Sequence, residues 1–237
     1  MQSPSTRTIL VTGANRGLGF EVSKQLADLG HRIILTSRSL DNAQNAADIL
    51  VRERSSRSIE TLALDIDSDA SVAAAAQYIE EHGGEVDTVI NNAGIHYDTQ
   101  QLASTASLTI VQEALQTNLL GAWRVTMAML PFMAKRMHGI VVNVSSGAGS
   151  LDSIEARTPA YSVSKAALNA LTIALAADLK ARNILVNAVC PGWVATDMGG
   201  PDGRPVALGA RGVVWAATLS ARGPTGNFLR DRRRVPW

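Results

Sequence analysis

Short apolar runs alternate along this chain with longer stretches in which apolar residues recur near every 3.6 positions. The runs fall at 8–12, 32–36, 59–64, 86–91, 139–145, 185–190 and 226–229. They are too short for helices and polar residues scarcely interrupt them, so they read as strands buried on both faces. The stretches 18–29, 40–54, 70–82, 108–137, 161–182 and 206–219 carry helix-forming residues with one apolar face. Strict alternation of this kind predicts an α/β fold, because right-handed crossovers place successive helices on the two faces of a parallel sheet. The expectation is a doubly wound sheet of seven strands in one domain spanning residues 1–237. Gly30 is expected to stop the first helix and Pro131 to kink the one over 108–137. The series Gly199-Gly200-Pro201-Asp202-Gly203-Arg204-Pro205 opens a segment, 199–212, expected to be a short mobile flap over a ligand crevice.

The first strand runs into Thr12-Gly13-Ala14-Asn15-Arg16-Gly17-Leu18-Gly19, and a helix opens there. Glycines in this strand–turn–helix setting let the chain turn tightly and let a diphosphate approach main-chain N–H groups at a helix N-terminus. The same residues also make an ordinary structural turn, but the context favours a dinucleotide. A carboxylate closing the second strand would bind the ribose 2′-hydroxyl of NAD, whereas a 2′-phosphate favours arginine. This chain reads Leu35-Thr36-Ser37-Arg38, with Arg38 and no carboxylate, and Arg16 stands in the glycine turn. NADPH is therefore expected over NADH. Past the third strand, Asp65 is placed to meet the adenine amino group, with Ile66 beneath the ring. Asn91-Asn92-Ala93-Gly94 ends the fourth strand with residues small enough for a backbone to lie against the cofactor, although a plain turn uses the same types.

Tyr161 and Lys165 lie four positions apart, which puts both on one helix face about a turn from each other. A phenol titrating near ~10 is a poor acid or base at neutral pH, and a fixed ammonium beside it is expected to lower that value. Taken alone, the spacing is common on helices.

Together these motifs resemble the short-chain dehydrogenase/reductases over almost the whole chain. The resemblance rests on Thr12-Gly-x-x-x-Gly-x-Gly19, Asn91-Asn-Ala-Gly94, Asn118, Ser145-Ser146, Tyr161-x-x-x-Lys165 and Pro191-Gly192 in the family order. It implies a Rossmann-like domain, NAD(P)-dependent carbonyl and alcohol chemistry, and a catalytic set of Asn118, Ser146, Tyr161 and Lys165. It also implies cofactor contacts from Asn92, Ala93, Gly94, Pro191, Gly192, Val194 and Thr196. In that set Ser146 holds the substrate oxygen, Tyr161 delivers the proton, Lys165 activates Tyr161 and Asn118 anchors a water; spacing alone would make Asn118 a helix kink or cap. The Asn15-Arg16 turn, Arg38 and the segment 191–198 are most similar to NADPH-dependent carbonyl reductases with a short substrate loop. Fifteen positions separate Ser146 from Tyr161, about two more than in many members, so Ser145 and Ser150 stand as rivals to Ser146.

The substrate pocket is expected to be bounded by Ile95, His96, Leu151, Trp193 and Met198, with no basic clamp, which suits a fairly apolar aldehyde or ketone. Direction is left open, and a non-catalytic NADP(H) sensor on the same fold is the rival of another class.

Composition then narrows the partners. With 22 basic and 21 acidic side chains the net charge is +1, so neither nucleic acid nor an anionic membrane is an expected partner. The one concentrated charge, Arg230-Asp231-Arg232-Arg233-Arg234, reads as a solvated tail. Cys190 is the only cysteine, which excludes an internal disulfide and fits the cytoplasm. The four histidines lack ligand spacing, so no metal is expected. The polar N-terminus and the absence of an uninterrupted apolar stretch of about 18 residues predict no signal peptide and no membrane span. The helices at 108–137 and 161–182 resemble the family's dimer-forming pair, so a homo-oligomer is expected.

Overall fold

The computed structural model describes residues 6–54, 58–133, 135 and 138–237. Residues 1–5 of the polar N-terminus and residues 134, 136 and 137 of the helix expected over 108–137 lie outside the described residues. The strands are β1 Thr8–Val11, β2 Arg32–Ser37, β3 Ile59–Ala63, β4 Thr88–Asn91, β5 Gly139–Val144, β6 Ile184–Val189, β7 Phe228–Arg230 and β8 Arg233–Arg234. They form one sheet in the order β3-β2-β1-β4-β5-β6-β7-β8. The pairs through β7 are parallel, and β8 is antiparallel to β7.

The helices are α1 Gly17–Asp28, α2 Leu40–Arg54, α3 Asp69–Glu81, α4 Leu108–Leu115, α5 Ala122–Met133, α6 Pro159–Asp178 and α7 Val206–Ala217. Because successive strand side chains point to opposite faces, each strand feeds two cores. Ile9, Val11, Ile33, Leu35 and Val142 pack with Val22 and Leu26 of α1, Leu50 of α2 and Val213 of α7. Leu10, Ile34, Val141 and Val186 pack with Val72 and Ile79 of α3, Met129 of α5 and Leu168 and Leu175 of α6. Burying an aliphatic side chain of this size stabilises the fold by about 1.5–3 kcal/mol, which is why the continuous apolar runs become central strands. Helix ends follow local chemistry: Gly30 takes φ +85° just past α1, and the Ser68 hydroxyl accepts the Ser71 N–H at the start of α3.

Three expectations change. The stretch read as one helix over 108–137 is broken at Gln116–Gly121 into a π-helical turn, while Pro131 sits inside α5. A π turn takes in one extra residue, and here Asn118 leaves the regular helical ladder to bond a neighbouring loop. The segment read as a flap over 199–212 is irregular only to Pro205, because α7 already runs from Val206. Gly209 is helical there for a packing reason: a Cβ would come 2.7 Å from Cγ2 of Val194. Finally the arginine-rich tail supplies an eighth strand. Asp231 and Arg232 take φ +51° and +66° in a tight turn, and Asp231 accepts two hydrogen bonds from Arg204, at 2.7 and 3.1 Å.

Strand order reverses between β1 and β4, and there the crevice beyond the carboxyl ends of the strands opens. By length and composition α6 with its last turn, Pro159–Arg182, could cross a bilayer, but over half of that stretch is buried against the sheet and its neighbours.

Candidate active site

A cavity of about 1730 Å³ runs along that crevice. Every residue expected at the cofactor or the substrate lines it except Leu151, and Asn118 stands behind its wall. Leu151 is 73% exposed and points elsewhere, because the turn at 147–149 is tied down beside α6 and carries the following residues outward.

At one end lies the glycine turn. Gly13 takes φ +60°, and a Cβ there would sit 3.0 Å from Cα of Ala93. A Cβ on Gly19 would lie 2.5 Å from Nδ2 of Asn92 and 2.6 Å from the Gly13 carbonyl oxygen. The β4 end and this turn are stitched together: Oγ1 of Thr12 accepts the N–H groups of Asn92 and Ala93, both at 3.0 Å, and the Asn92 amide donates to the carbonyls of Thr12 and Gly13 at 2.9 and 3.1 Å. The result is a backbone surface at the N-terminus of α1 that is too tight for a Cβ on Gly13 or Gly19.

Arg38 lies exposed at the end of β2 on the cavity wall and has no hydrogen bond or ion pair with a described residue. Arg16 also lines the cavity, but it is paired with Asp197 at 2.9 Å across the mouth. Both side chains of that pair are more than two-thirds exposed, so the pair is worth at most about 1 kcal/mol and is readily exchanged. The Asp65 carboxylate accepts the Asp67 N–H at 3.1 Å. Ile66 is largely buried, its side chain against the π turn where a Cβ on Gly121 would stand 2.8 Å away.

At the other end α6 presents Tyr161 and Lys165. Pro159 opens this helix, and the buried Asp98 carboxylate caps it, accepting the N–H of Ala160 at 2.6 Å and of Tyr161 at 3.4 Å. The Ser146 hydroxyl accepts the Ala148 N–H at 3.2 Å and lies near enough to the Tyr161 phenol to favour its ionised form. Its rivals are engaged elsewhere: Ser145 is buried with Oγ 3.5 Å from the Lys165 carbonyl, and Ser150 donates to the carbonyl of Pro236 at 3.2 Å. The turn carrying Ser146 is locked to α6. A Cβ on Gly149 would come 2.6 Å from the Lys165 backbone, and Asn169 donates to the Gly149 carbonyl at 3.0 Å.

Lys165 is buried, with Nζ donating to the Val144 carbonyl at 2.9 Å and lying 5.7 Å from the centre of the Tyr161 ring. The Asn118 amide donates to the Ile95 carbonyl at 3.0 Å and to Ser164 at 2.9 Å, and its carbonyl accepts the Ile95 N–H at 2.8 Å. Its side chain thus clamps the loop after β4.

The expected lowering of the phenol by the ammonium is not what this environment produces. Burial pushes Tyr161 up to about 12, against the smaller opposite effect of the Ser146 hydroxyl. Burial also brings Lys165 down to about 8. Loss of water is the largest cause of both shifts, because it disfavours the charged form of either group. Arg157 and Arg230 also line the cavity.

A family model described as short chain dehydrogenase matches residues 7–205. The chain is a short-chain dehydrogenase. It is 35% identical over 224 residues to short-chain dehydrogenase anuI of Penicillium roqueforti, covering 89% of this chain and 88% of that one. It is 30% identical to carbonyl reductase (NADPH) 1 of Sus scrofa, covering 99% and 96%. That alignment extends over 284 positions against 237 residues here, so the pig enzyme carries segments that this short-chain dehydrogenase lacks. A solved structure of NADPH-bound carbonyl reductase from chicken fatty liver superposes with a TM-score of 0.88 at 28% identity, covering 98% of this chain and 99% of that one.

Several residues that shape the site of this dehydrogenase carry no local signal in the sequence. Asp98 caps α6 from the loop after β4, while from α6 Ser164 holds Asn118 and Asn169 holds the turn at 147–149, and Arg157 and Arg230 come to the cavity only once the chain is folded.

Proposed function

We propose that this short-chain dehydrogenase reduces the carbonyl of a small to medium, largely apolar aldehyde or ketone with NADPH, within a single catalytic domain. The observation that carries the reading is that Ser146, Tyr161 and Lys165, whose Nζ lies 5.7 Å from the centre of the Tyr161 ring, share one cavity with a glycine turn that a Cβ on Gly13 or Gly19 would fill. The residues present fit the cofactor. Gly13, Gly17 and Gly19 would admit its diphosphate, Arg38 its 2′-phosphate, and Asn92, Ala93, Gly94, Pro191, Gly192, Val194 and Thr196 the remainder. When bound, NADPH supplies hydride.

The chain's own groups handle charge and protons. As negative charge grows on the carbonyl oxygen, the Ser146 hydroxyl donates to it and Tyr161 gives up its proton. A neutral phenol is the form that can donate the proton reduction requires. The Lys165 ammonium stabilises the phenolate that remains. Asn118 fixes the loop that carries Ile95 and His96. Ile95, Trp193 and Met198 supply an apolar wall for the substrate body, in the cavity that Arg157 and Arg230 also line. Trp123, Met127 and Ile173, exposed on α5 and α6, offer the face for a second copy of the chain.

Incubation of the purified protein with NADPH and a panel of ketones and aldehydes tests the reading. Carbonyl-dependent loss of the reduced-nicotinamide absorbance is expected. Tight NADPH binding with no turnover across the panel would make the protein a sensor instead.

Two further results are expected. Arg38→Asp should weaken NADPH by about 10- to 100-fold, since a charge-assisted contact to phosphate becomes a repulsion, and leave NADH within about threefold. Titrating both cofactors calorimetrically checks this, and equal losses would remove Arg38 from the phosphate. Because Lys165 is lowered to about 8, its ammonium is present below that pH and absent above it. The reductive kcat should therefore hold at neutral pH and fall as pH rises through about 8, toward tenfold per unit. A kcat flat to pH 10 would separate activity from this lysine.

A further inference from the structure

The sequence marks His96 only as a pocket residue, yet the structure joins it to the proton donor. Its imidazole stacks on the Tyr161 ring, with centres 4.3 Å apart and planes at 28°. Its Nε2 is buried without a hydrogen-bond partner. Asp98, whose side chain is fully buried, uses Oδ2 to cap the turn of α6 that carries Tyr161, while its Oδ1 is likewise without a partner. The two orphaned atoms face each other at 3.8 Å, about 1 Å beyond a hydrogen bond. Leaving two buried polar atoms unsatisfied costs on the order of 1–3 kcal/mol each, so a pairing this close to closing is strongly favoured once the ring shifts or gains a proton.

We propose that His96 is a positioning residue for Tyr161: the imidazole fixes the tilt of the phenol by stacking, and the Asp98 carboxylate steadies the imidazole through Nε2 while capping the same helical turn. Both neighbours of the phenol thus hang from one carboxylate. The inference rests on the reading of Tyr161 as the proton donor.

A pH dependence follows from the groups that face His96. Asp98 favours the imidazolium, Lys165 opposes it, the Tyr161 phenol is neutral, and burial brings His96 below the ordinary 6.5. Charging the ring converts the 3.8 Å approach into an ion pair and sets a cation over the phenol, making the phenol a stronger acid. The parent enzyme therefore gains a second step in its profile, a rise in reductive kcat as pH falls below 6.5.

The test compares His96→Ala, His96→Phe, Asp98→Asn and Tyr161→Phe with the parent, using the best carbonyl of the panel and recording kcat, KM, NADPH affinity and thermal midpoint across pH. His96→Ala should lose about 10- to 100-fold in kcat, the cost of a misplaced reacting group, with KM and NADPH affinity little changed. His96→Phe keeps a stacking ring, so it should recover most of that loss while lacking the acid step. Asp98→Asn, which still caps through its amide oxygen, should move the acid step to lower pH. A His96→Ala enzyme with parental kcat and raised KM would make His96 merely a wall of the substrate pocket. An acid step that persists in His96→Phe would assign it to another group. Either result, with Tyr161→Phe inactive, overturns this inference alone; an active Tyr161→Phe overturns the reading beneath it.

Discussion

Tyr161→Phe should lower kcat for carbonyl reduction by about 10²–10⁴-fold, the usual contribution of a positioned general acid, while NADPH affinity stays within about threefold. The substitution removes one oxygen and leaves the ring that His96 stacks on and the helix that Asp98 caps. It also removes the phenolic hydroxyl beside Ser146, so the carbonyl oxygen would meet one donor in place of two. Steady-state kinetics with cofactor titration measure both quantities. A variant within about threefold of the parent in kcat would remove Tyr161 from proton transfer.

Gly19→Ala should weaken NADPH by about 10- to 100-fold, because even a methyl group overpacks the cradle and such strain costs about 1–3 kcal/mol. The added carbon would stand 2.5 Å from Nδ2 of Asn92 and 2.6 Å from the carbonyl oxygen of Gly13. Asn92 could yield only by giving up its hydrogen bonds to the Thr12 and Gly13 carbonyls, and those bonds join the glycine turn to the end of β4. Gly17→Ala makes the useful comparison: its Cβ would meet only Thr196 at 3.6 Å, so crowding there is slight, although its φ of +57° still disfavours a side chain. Fluorescence titration of NADPH against both variants, with thermal midpoints to show that each folds, separates loss of the cradle from loss of the fold. Undiminished NADPH binding by Gly19→Ala would mean that the diphosphate lies elsewhere.

The alternation of apolar runs and amphipathic stretches was enough to read the doubly wound sheet, because strands buried on both faces need continuous apolar sequence and crossover helices need one apolar stripe. Short-range chemistry was legible for the same reason: the glycine turn, the Tyr161–Lys165 spacing and the missing carboxylate after β2 are local patterns. What escaped depended on long-range contacts. Nothing around Asn118 announces a π turn, since the hydrogen bonds to Ile95 that accompany it join residues 23 apart in sequence. Asp98 looks like an ordinary loop acid, and its role as the cap of α6 appears only once residues 62 apart meet. The arginine-rich tail reads as solvated charge until Arg204 folds back onto Asp231 and the turn at 231–232 pairs β7 with β8. The spacing of Tyr161 and Lys165 reveals the neighbouring ammonium but not the burial, which raises the phenol.

Label transfer tests the central claim most directly. The protein is incubated with a carbonyl substrate and NADPH in which both hydrogens on the hydride-donating carbon of the nicotinamide are deuterium, and the alcohol is analysed by mass spectrometry. The account predicts deuterium on the former carbonyl carbon of the product in the parent protein and almost none formed by Tyr161→Phe. An alcohol formed without label, or labelled equally well by the variant, would contradict it.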